Sequence, residues 1–389
     1  MAKGALSSKR RRKGLSSPFK LYIQPGVRIS GEGIMTASAA GIHESSVEAF
    51  RNRGLVRAWL YLVALMIFAM VVVGGATRLT DSGLSITEWQ PIHGAIPPLS
   101  EAEWQEEFEK YQQIPEYQYV NKGMSLDAFK AIYWWEWAHR LLGRLIGFVV
   151  AVPLVFFWAT GRLEGWLKPR LVGLFLLGGA QGAIGWWMVA SGLAERVDVS
   201  QYRLATHLTL ACILFAYTVW LAESVSTRDN AAEAGASARP FAWAMLIAIF
   251  IQIYFGALVA GLDAGMAYNT WPLMDGSVIP SGLLALEPAW RNFFESGLTV
   301  QFQHRVFAYL LLILALWQGH VAFWRPFEAS AKRRALLILV VALAQAAVGI
   351  ATLLYVVPLD IALTHQAGAI ILLGLAVIHL RRLYPARLF

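Results

Sequence analysis

Long apolar segments constrain this chain more than any other feature of its sequence. Of its 389 residues, 57% are hydrophobic and only 15% are charged, which is less charge than soluble domains carry. A helix of about 20 apolar residues can cross a bilayer. About eight windows of this kind occur, near residues 57–78, 132–159, 170–190, 203–222, 240–260, 298–322, 333–356 and 360–380. The sequence therefore predicts an all-α integral membrane protein with eight transmembrane helices.

Basic residues mark one side of the predicted helices. The net charge is +8, and a basic chain can bind nucleic acid. Here the positive residues instead cluster as the positive-inside rule expects, at residues 9–13, 162–170, 325–334 and 381–387. We therefore expect a multi-pass protein of a bacterial inner membrane, with both termini cytoplasmic and no nucleic-acid partner. The mitochondrial inner membrane is the less favoured location.

The sequence contains an internal duplication. The first apolar segment is followed by TDSGLSITEWQP and the fifth by LDAGMAYNTWP, while the third contains QGAIG where the seventh contains QAAVG. Landmarks in the same order indicate a repeat, here of four helices. Because each repeat crosses the membrane an even number of times, the two are parallel and related by a pseudo-two-fold axis along the membrane normal.

The duplication sets the predicted domain boundaries. Residues 1–54 are expected to form a basic, disordered cytoplasmic tail. The first four-helix-bundle repeat covers 55–222 and the second covers 240–382. The polar segment 223–239 is predicted as a cytoplasmic linker between them, and 383–389 as a second cytoplasmic tail.

The first outer connection, roughly residues 79–131, is the longest in the sequence. Ser100 and Glu103 have the spacing of a capping box and precede EWQEEFEKYQ. This pattern predicts a short amphipathic helix at the outer surface. A loop of this length usually has a function, and this one could cover the first site or dock a partner.

Four histidines occupy matching places in the two repeats. His139 and His304 are each followed by Arg, and His207 and His365 are each preceded by Thr. Their helices all run from the outer to the inner face, so His139 with His207 and His304 with His365 are expected near the outer face. Bis-histidine ligation inside a helix bundle suits haem iron, whereas zinc and copper more often recruit carboxylate or sulfur ligands. The sequence therefore predicts two haem sites.

Arginines near these histidines are candidates for contact with haem propionates. The candidates are Arg78, Arg140, Arg203 and Arg305. Contact with lipid headgroups explains each of them equally well when it is taken alone.

A second set of histidines has a weaker claim. His320 and His379 follow His304 and His365 by about four turns, or roughly 21–24 Å. They could form another pair at the cytoplasmic side, although such residues more often line the membrane interface. The sequence leaves open whether they bind anything.

One residue distinguishes the two predicted sites. Glu136 stands three positions before His139, whereas Gln301 stands three positions before His304. Residues so spaced share a helix face, so Glu136 is expected to face whatever His139 binds. A carboxylate there suits proton transfer at a reacting carbon, which predicts reaction at the first site and electron transfer at the second. The alternative is that Glu136 only bonds to a loop or an arginine.

From about residue 55 to 382 the chain resembles the haem A synthase family. The resemblance is carried by GGATRLTDSGLSITEW, YWWEWAHRLLGRLIG, QGAIGWWMVASGL, ATHL, GLDAGMAYNTWPLM, FQHR and LTHQ. The long first outer loop is similar to the form found in α-proteobacteria and mitochondria. Another form carries a cysteine pair in an outer loop, which this sequence lacks, so a thiol relay is not carried over.

The resemblance implies an oxidoreductase that converts the C8 methyl group of haem O into the formyl group of haem A, for cytochrome oxidase. It implies that His304 and His365 ligate a permanent haem b as cofactor and that His139 and His207 bracket the substrate haem. Glu136 would be the essential carboxylate, as proton acceptor or as stabiliser of a cationic intermediate.

Partners follow from the same resemblance. Besides haem O and the lipid bilayer, we expect haem O synthase, a redox partner and cytochrome oxidase assembly factors, and a homo-oligomer is compatible with the sequence. The residues alone leave two rivals open, a diheme b-type electron carrier and a haem transporter.

Overall fold

The computed structural model describes residues 33–91, 93–225, 238–325 and 327–385, with the backbone alone for 33–51. Within these ranges the chain is helical, apart from loops and an isolated bridge between Met274 and Ser277. Eight of the described helices are long and apolar enough to cross a membrane. The protein is therefore an all-α, multi-pass membrane protein, and the predicted fold class is confirmed.

The observed helices follow the predicted windows closely. In chain order they are α1 Gly33–Leu79, α2 Glu101–Tyr111, α3 Pro115–Tyr119, α4 Leu126–Ala159, α5 Lys168–Val189, α6 Gln201–Ser224, α7 Arg239–Gly261, α8 Asn292–Glu295, α9 Gly297–Trp324, α10 Ala329–Leu354 and α11 Leu359–Arg382. Helices α2, α3 and α8 are the short ones, and the span within α1 covers Asn52–Leu79.

The predicted domain boundaries relate to these helices as follows. The tail boundary at residue 54 falls inside α1, which begins at Gly33. Most of the predicted linker, residues 226–237, lies outside the described residues, as do 1–32 and 386–389. The division into two parallel repeats stays a prediction.

Burial separates an inner from an outer set of helices. The spans in α1, α6, α7 and α11 are the most buried, and those in α5 and α10 are the least. Small residues let inner helices approach each other closely, as with the buried Ala211 of α6, Ala242 of α7 and Ala376 of α11. A Cβ at Gly374 of α11 would lie 3.3 Å from the Phe215 ring of α6. The two predicted halves therefore share a tightly packed central layer.

An ion-pair cluster joins three of the inner helices at one end. Glu223, near the end of α6, has a side chain that is 1% exposed and lies 2.7 Å from Arg57 of α1 and 2.6 Å from Arg382 of α11. The hydroxyl of Tyr61 donates to the same carboxylate. A buried carboxylate needs such partners, so the cluster fixes the three helix ends together.

The first outer loop contains the predicted amphipathic helix, α2. Ser100 caps it by accepting from the Glu103 N–H at 3.3 Å, and the Glu103 carboxylate accepts from the Ser100 N–H at 3.4 Å. The apolar face of α2 packs on α4, with the Trp104 and Tyr133 ring centroids 4.9 Å apart. The predicted capping box and helix are confirmed.

Candidate functional site

Each predicted histidine ligand packs against a glycine of a neighbouring helix. A Cβ at that glycine would lie 3.1 Å from His139 at Gly74, 2.9 Å from His207 at Gly185, 3.2 Å from His304 at Gly256 and 2.7 Å from His365 at Gly349. A real Cβ atom rarely has a neighbour at such distances. Each imidazole therefore packs directly against the backbone of the helix that carries the glycine. The four glycines provide the space for this close approach.

The structure brings the histidines together in the two predicted pairs. His139 of α4 and His207 of α6 are close enough to interact electrostatically, as are His304 of α9 and His365 of α11. No group of three or more His, Cys, Asp or Glu side chains suited to a metal occurs among the described residues. Two imidazoles per site fit an iron whose other ligands come from a porphyrin.

A glutamine contacts three of the four histidines, one turn before the glycine on the same helix. The distances from amide Nε2 to imidazole Nδ1 are 3.2 Å for Gln181 and His207, 3.1 Å for Gln252 and His304, and 3.1 Å for Gln345 and His365. Each amide also donates to the backbone carbonyl of its histidine.

These glutamines bear on whether the histidines suit a haem iron. The Oε1 atoms of Gln181 and Gln252 are buried and have no partner. In the structure the amide nitrogen faces the ring, at 3.4 Å from Nε2 of His207 for Gln181 and 3.2 Å from Nε2 of His304 for Gln252. An imidazole that binds iron through Nε2 carries a hydrogen on Nδ1 and needs an acceptor beside it, which an amide oxygen would supply after the amide group turns over. Sequence reasoning missed Gln252, although its spacing to Gly256 repeats that of QGAIG and QAAVG.

Glu136 is buried and bonded through both of its carboxylate oxygens. Its Oε2 accepts from the Ser85 hydroxyl and the Ile86 N–H, both at 2.8 Å. Its Oε1 accepts from Arg140 at 2.7 Å. Ser85 and Ile86 belong to the loop after α1, so Glu136 holds this loop against α4, as the alternative from the sequence described. Its catalytic role stays a prediction.

Gln301 takes the matching place in the second half with the opposite polarity. Its Nε2 donates to the carbonyls of Ala264 at 2.6 Å and Ala267 at 2.7 Å, while Arg305 donates to its Oε1 at 2.9 Å. The loop after α1 presents hydrogen-bond donors to Glu136, whereas the loop after α7 presents hydrogen-bond acceptors to Gln301. The acid and the amide therefore each match the loop that they face.

The four arginines predicted to bind propionates all have partners within the protein. These partners are the Ile86 and Glu88 carbonyls for Arg140, the Tyr268 and Thr270 carbonyls for Arg305, the Trp187 carbonyl and ring for Arg203, and the Asp81, Asp198 and Asp263 carboxylates for Arg78. Arg78, Arg140 and Arg305 hold loops in place, and Arg203 contacts the last turn of α5. Contact with propionates stays a prediction.

The other two histidines lie in unlike surroundings. His320 is exposed, and its ring centroid lies 6.3 Å from that of Trp317 and 6.2 Å from that of Trp324. His379 is 4% exposed. One exposed and one buried histidine do not resemble the matched pairs above, so a second layer of haem ligands has no support here.

The family of the chain follows from comparison with known proteins. The model of the cytochrome oxidase assembly protein family, COX15-CtaA, matches residues 57–377. The chain belongs to this family. The family resemblance read from the motifs is thereby confirmed.

Close relatives extend the comparison over almost the whole chain. A Chelativorans sp. (strain BNC1) protein named Heme A synthase is 62% identical over 333 residues, covering 86% of this chain and 92% of the relative. Proteins of the same name are 59% identical in Mesorhizobium japonicum, covering 88% and 94%, and 56% identical in Allorhizobium ampelinum, covering 90% and 95%.

Proposed function

We propose that this protein is a haem A synthase, a membrane oxidoreductase that converts the C8 methyl group of haem O into the formyl group of haem A. The observation that carries the proposal is the 62% identity to a protein named Heme A synthase, in an alignment that covers 92% of that relative's length. The two histidine pairs supply the donor set that two haems require. A diheme carrier would use the same donor set, so the identity of the bound pigment separates the two functions.

We assign the resident haem b to His304 and His365. Gln252 and Gln345 hold these two rings in place, which suits a cofactor that stays bound. Haem b, when bound, supplies one-electron acceptance for the oxidation. The amide of Gln301, on the same helix as His304, donates to carbonyls of the loop after α7. It brings no ionisable group to this site.

We assign the substrate haem to His139 and His207, and give Glu136 the stabilisation of positive charge at the reacting carbon. Loss of two electrons to the electron acceptor and of a proton to water breaks a C–H bond of the methyl group and leaves positive charge on carbon, which a fixed carboxylate would stabilise. Both oxygens of Glu136 already accept hydrogen bonds. Taking up a proton would displace one of those donors, so the contacts favour a stabilising role over that of proton acceptor.

The proposal includes a location and partners. The three relatives compared are bacterial, which supports the inner membrane. Basic residues in 162–170 and 325–334 support cytoplasmic connections there, with cytoplasmic termini and the histidine pairs toward the outer face. The reaction requires an enzyme that makes haem O, an acceptor of electrons, and assembly factors that receive haem A for cytochrome oxidase.

Expression of the full chain tests the reaction, in a host that makes haem O but lacks its own haem A synthase. We expect haem A in the extracted pigment, identified by mass. Recovery of haem b alone would favour an electron carrier, and recovery of unreacted haem O would favour a transporter. His304→Ala should lose the low-spin haem b spectrum, and retention of that spectrum would place the cofactor elsewhere.

The role of Glu136 needs a control for its contact with the loop. Glu136→Gln should abolish formation of haem A in the same host. Ser85→Ala removes one loop contact and leaves the carboxylate, so it should retain most of the activity. Equal loss in both variants would make Glu136 a residue that positions the loop, and normal haem A levels in Glu136→Gln would refute its catalytic role.

A further inference from the structure

His139 lacks the glutamine that holds the other three histidines. Met70 stands one turn before Gly74, in the place where the other three glycines are preceded by glutamine. The Met70 methyl group lies against α4, 2.9 Å from where a Cβ at Gly143 would be. Among the described residues, His139 has electrostatic neighbours but no hydrogen-bond partner for its ring.

The His139 ring is also turned differently from the others. Its nearest atom to a Cβ built at Gly74 is Nε2 at 3.1 Å, followed by Cδ2 at 3.4 Å. At Gly185, Gly256 and Gly349 the nearest ring atom is Cε1, followed by Nδ1. The three rings that share an orientation, His207, His304 and His365, each have a glutamine amide near Nδ1. The ring that differs, His139, has Met70 at the corresponding position.

This difference changes how firmly each imidazole can hold iron. A hydrogen-bond acceptor at Nδ1 fixes the tautomer and orientation of a ligating histidine, and its loss weakens metal affinity by about 10–100-fold. A thioether is only a weak acceptor, and the methionine side chain is flexible. His139 should therefore be a weaker ligand than His207, which is held by Gln181.

We propose that His139 is the exchangeable ligand of the substrate haem, that Met70 keeps it exchangeable, and that His207 is the fixed ligand. The inference rests on the proposed function, because it takes the haem of this pair to be the substrate. A haem that must enter, react and leave needs one side that opens. The resident haem has no such need, and both of its histidines are held by glutamine.

Binding of carbon monoxide to the reduced, purified full chain reports a ligand that dissociates. We expect carbon monoxide to bind one of the two haems in the wild type. Met70→Gln should weaken that binding about tenfold or more, because an amide at this position gives the His139 ring a hydrogen-bond partner, as Gln181 does for His207. Met70→Leu has a similar shape and no acceptor, so it should behave as the wild type. Adding Gln181→Met to Met70→Gln should restore binding by loosening the opposite ligand.

Haem content and pigment identity are measured on the same samples. Unchanged carbon monoxide binding in Met70→Gln with both haems retained would overturn the proposal, as would an equal loss in Met70→Leu. If Met70→Gln loses the haem of the His139 and His207 pair, the single variant Gln181→Met provides the test. It should increase carbon monoxide binding, and the absence of an increase would overturn the proposal. Failure of the proposed function is distinguishable, because the wild type would then yield no haem A whatever its carbon monoxide binding.

Discussion

His207 can lie against α5 because residue 185 is glycine, which has a hydrogen atom where alanine has a methyl group. A Cβ at Gly185 would stand 2.9 Å from the ring, whereas a Cβ at Gly182 on the same helix would meet nothing within 4 Å. The two positions are one turn apart and differ only in which neighbour they face. The requirement for glycine at 185 therefore comes from the site and not from the helix.

Gly185→Ala should reduce haem retention in the first pair about tenfold. The new methyl group pushes the imidazole out of place, and overpacking of this kind typically costs about 1–3 kcal/mol. Haem content per purified chain, measured by pigment extraction, checks the prediction. Gly182→Ala is the matched control and should retain wild-type haem. Equal retention in the two variants would show that the contact with His207 is unimportant.

Glu116 on α3 makes the first outer loop sensitive to pH. Burial, followed by the nearby carboxylates of Asp81 and Asp198, raises the pKa of Glu116 from an ordinary value of 4.5 to about 8, and its Oε2 has no hydrogen-bond partner. The folded loop therefore keeps a proton that the unfolded chain has lost. Its stability is expected to fall as the pH rises from about 4.5 to 8.

Glu116→Gln should remove this dependence, since an amide stays neutral. Hydrogen exchange of the loop at residues 111–125 provides the measurement, with variant and wild type compared at each pH. At pH values above about 8 the variant should exchange more slowly than the wild type, and below about 4.5 the two should match. The same difference at both pH extremes would rule out titration of Glu116 as the cause.

At the scale of helices, buried charge holds the ends of the inner elements together. Glu223 of α6 lies between Arg57 of α1 and Arg382 of α11 with its own side chain 1% exposed. The pair of Arg53 and Glu164 is far more open, with side chains 48% and 38% exposed. Water screens the exposed pair, so the two ion pairs should contribute very differently.

Glu223→Ala should lower the free energy of unfolding by about 3 kcal/mol, because it leaves arginines without their buried counter-charge. Glu164→Ala should cost about 0–1 kcal/mol. Thermal unfolding in detergent compares the two variants directly. A Tm loss as large for Glu164→Ala as for Glu223→Ala would contradict the importance of burial.

At the scale of the whole molecule, the order of the helices determines which connections share a side of the membrane. Cys212 is fully buried, so a membrane-impermeant thiol reagent should leave the wild type unlabelled. Lys122→Cys, in the first outer loop, should react in intact cells. Gly165→Cys, between α4 and α5, should react only after the membrane is opened. The reverse pattern would invert the proposed topology.

Local features of the chain were sufficient to determine its class and its helices. They also singled out the four histidines, whose role as haem ligands stays a prediction. Apolar length alone specifies a membrane span, so the predicted windows match the observed helices to within a few residues. The capping box at Ser100 and Glu103 was equally readable because its contacts join residues three apart. The order of motifs was enough to indicate the family.

Only the tertiary structure decided what surrounds those residues. That Glu136 bonds to Ser85 and Ile86, while Gln301 bonds to two carbonyls, depends on how loops turn their backbone groups toward α4 and α9. The exceptional ring of His139 depends on how α1 is rotated beside α4. Hydropathy carries no information on helix rotation or backbone direction, because many packings bury the same apolar area. Contacts between distant parts of the chain select one of them.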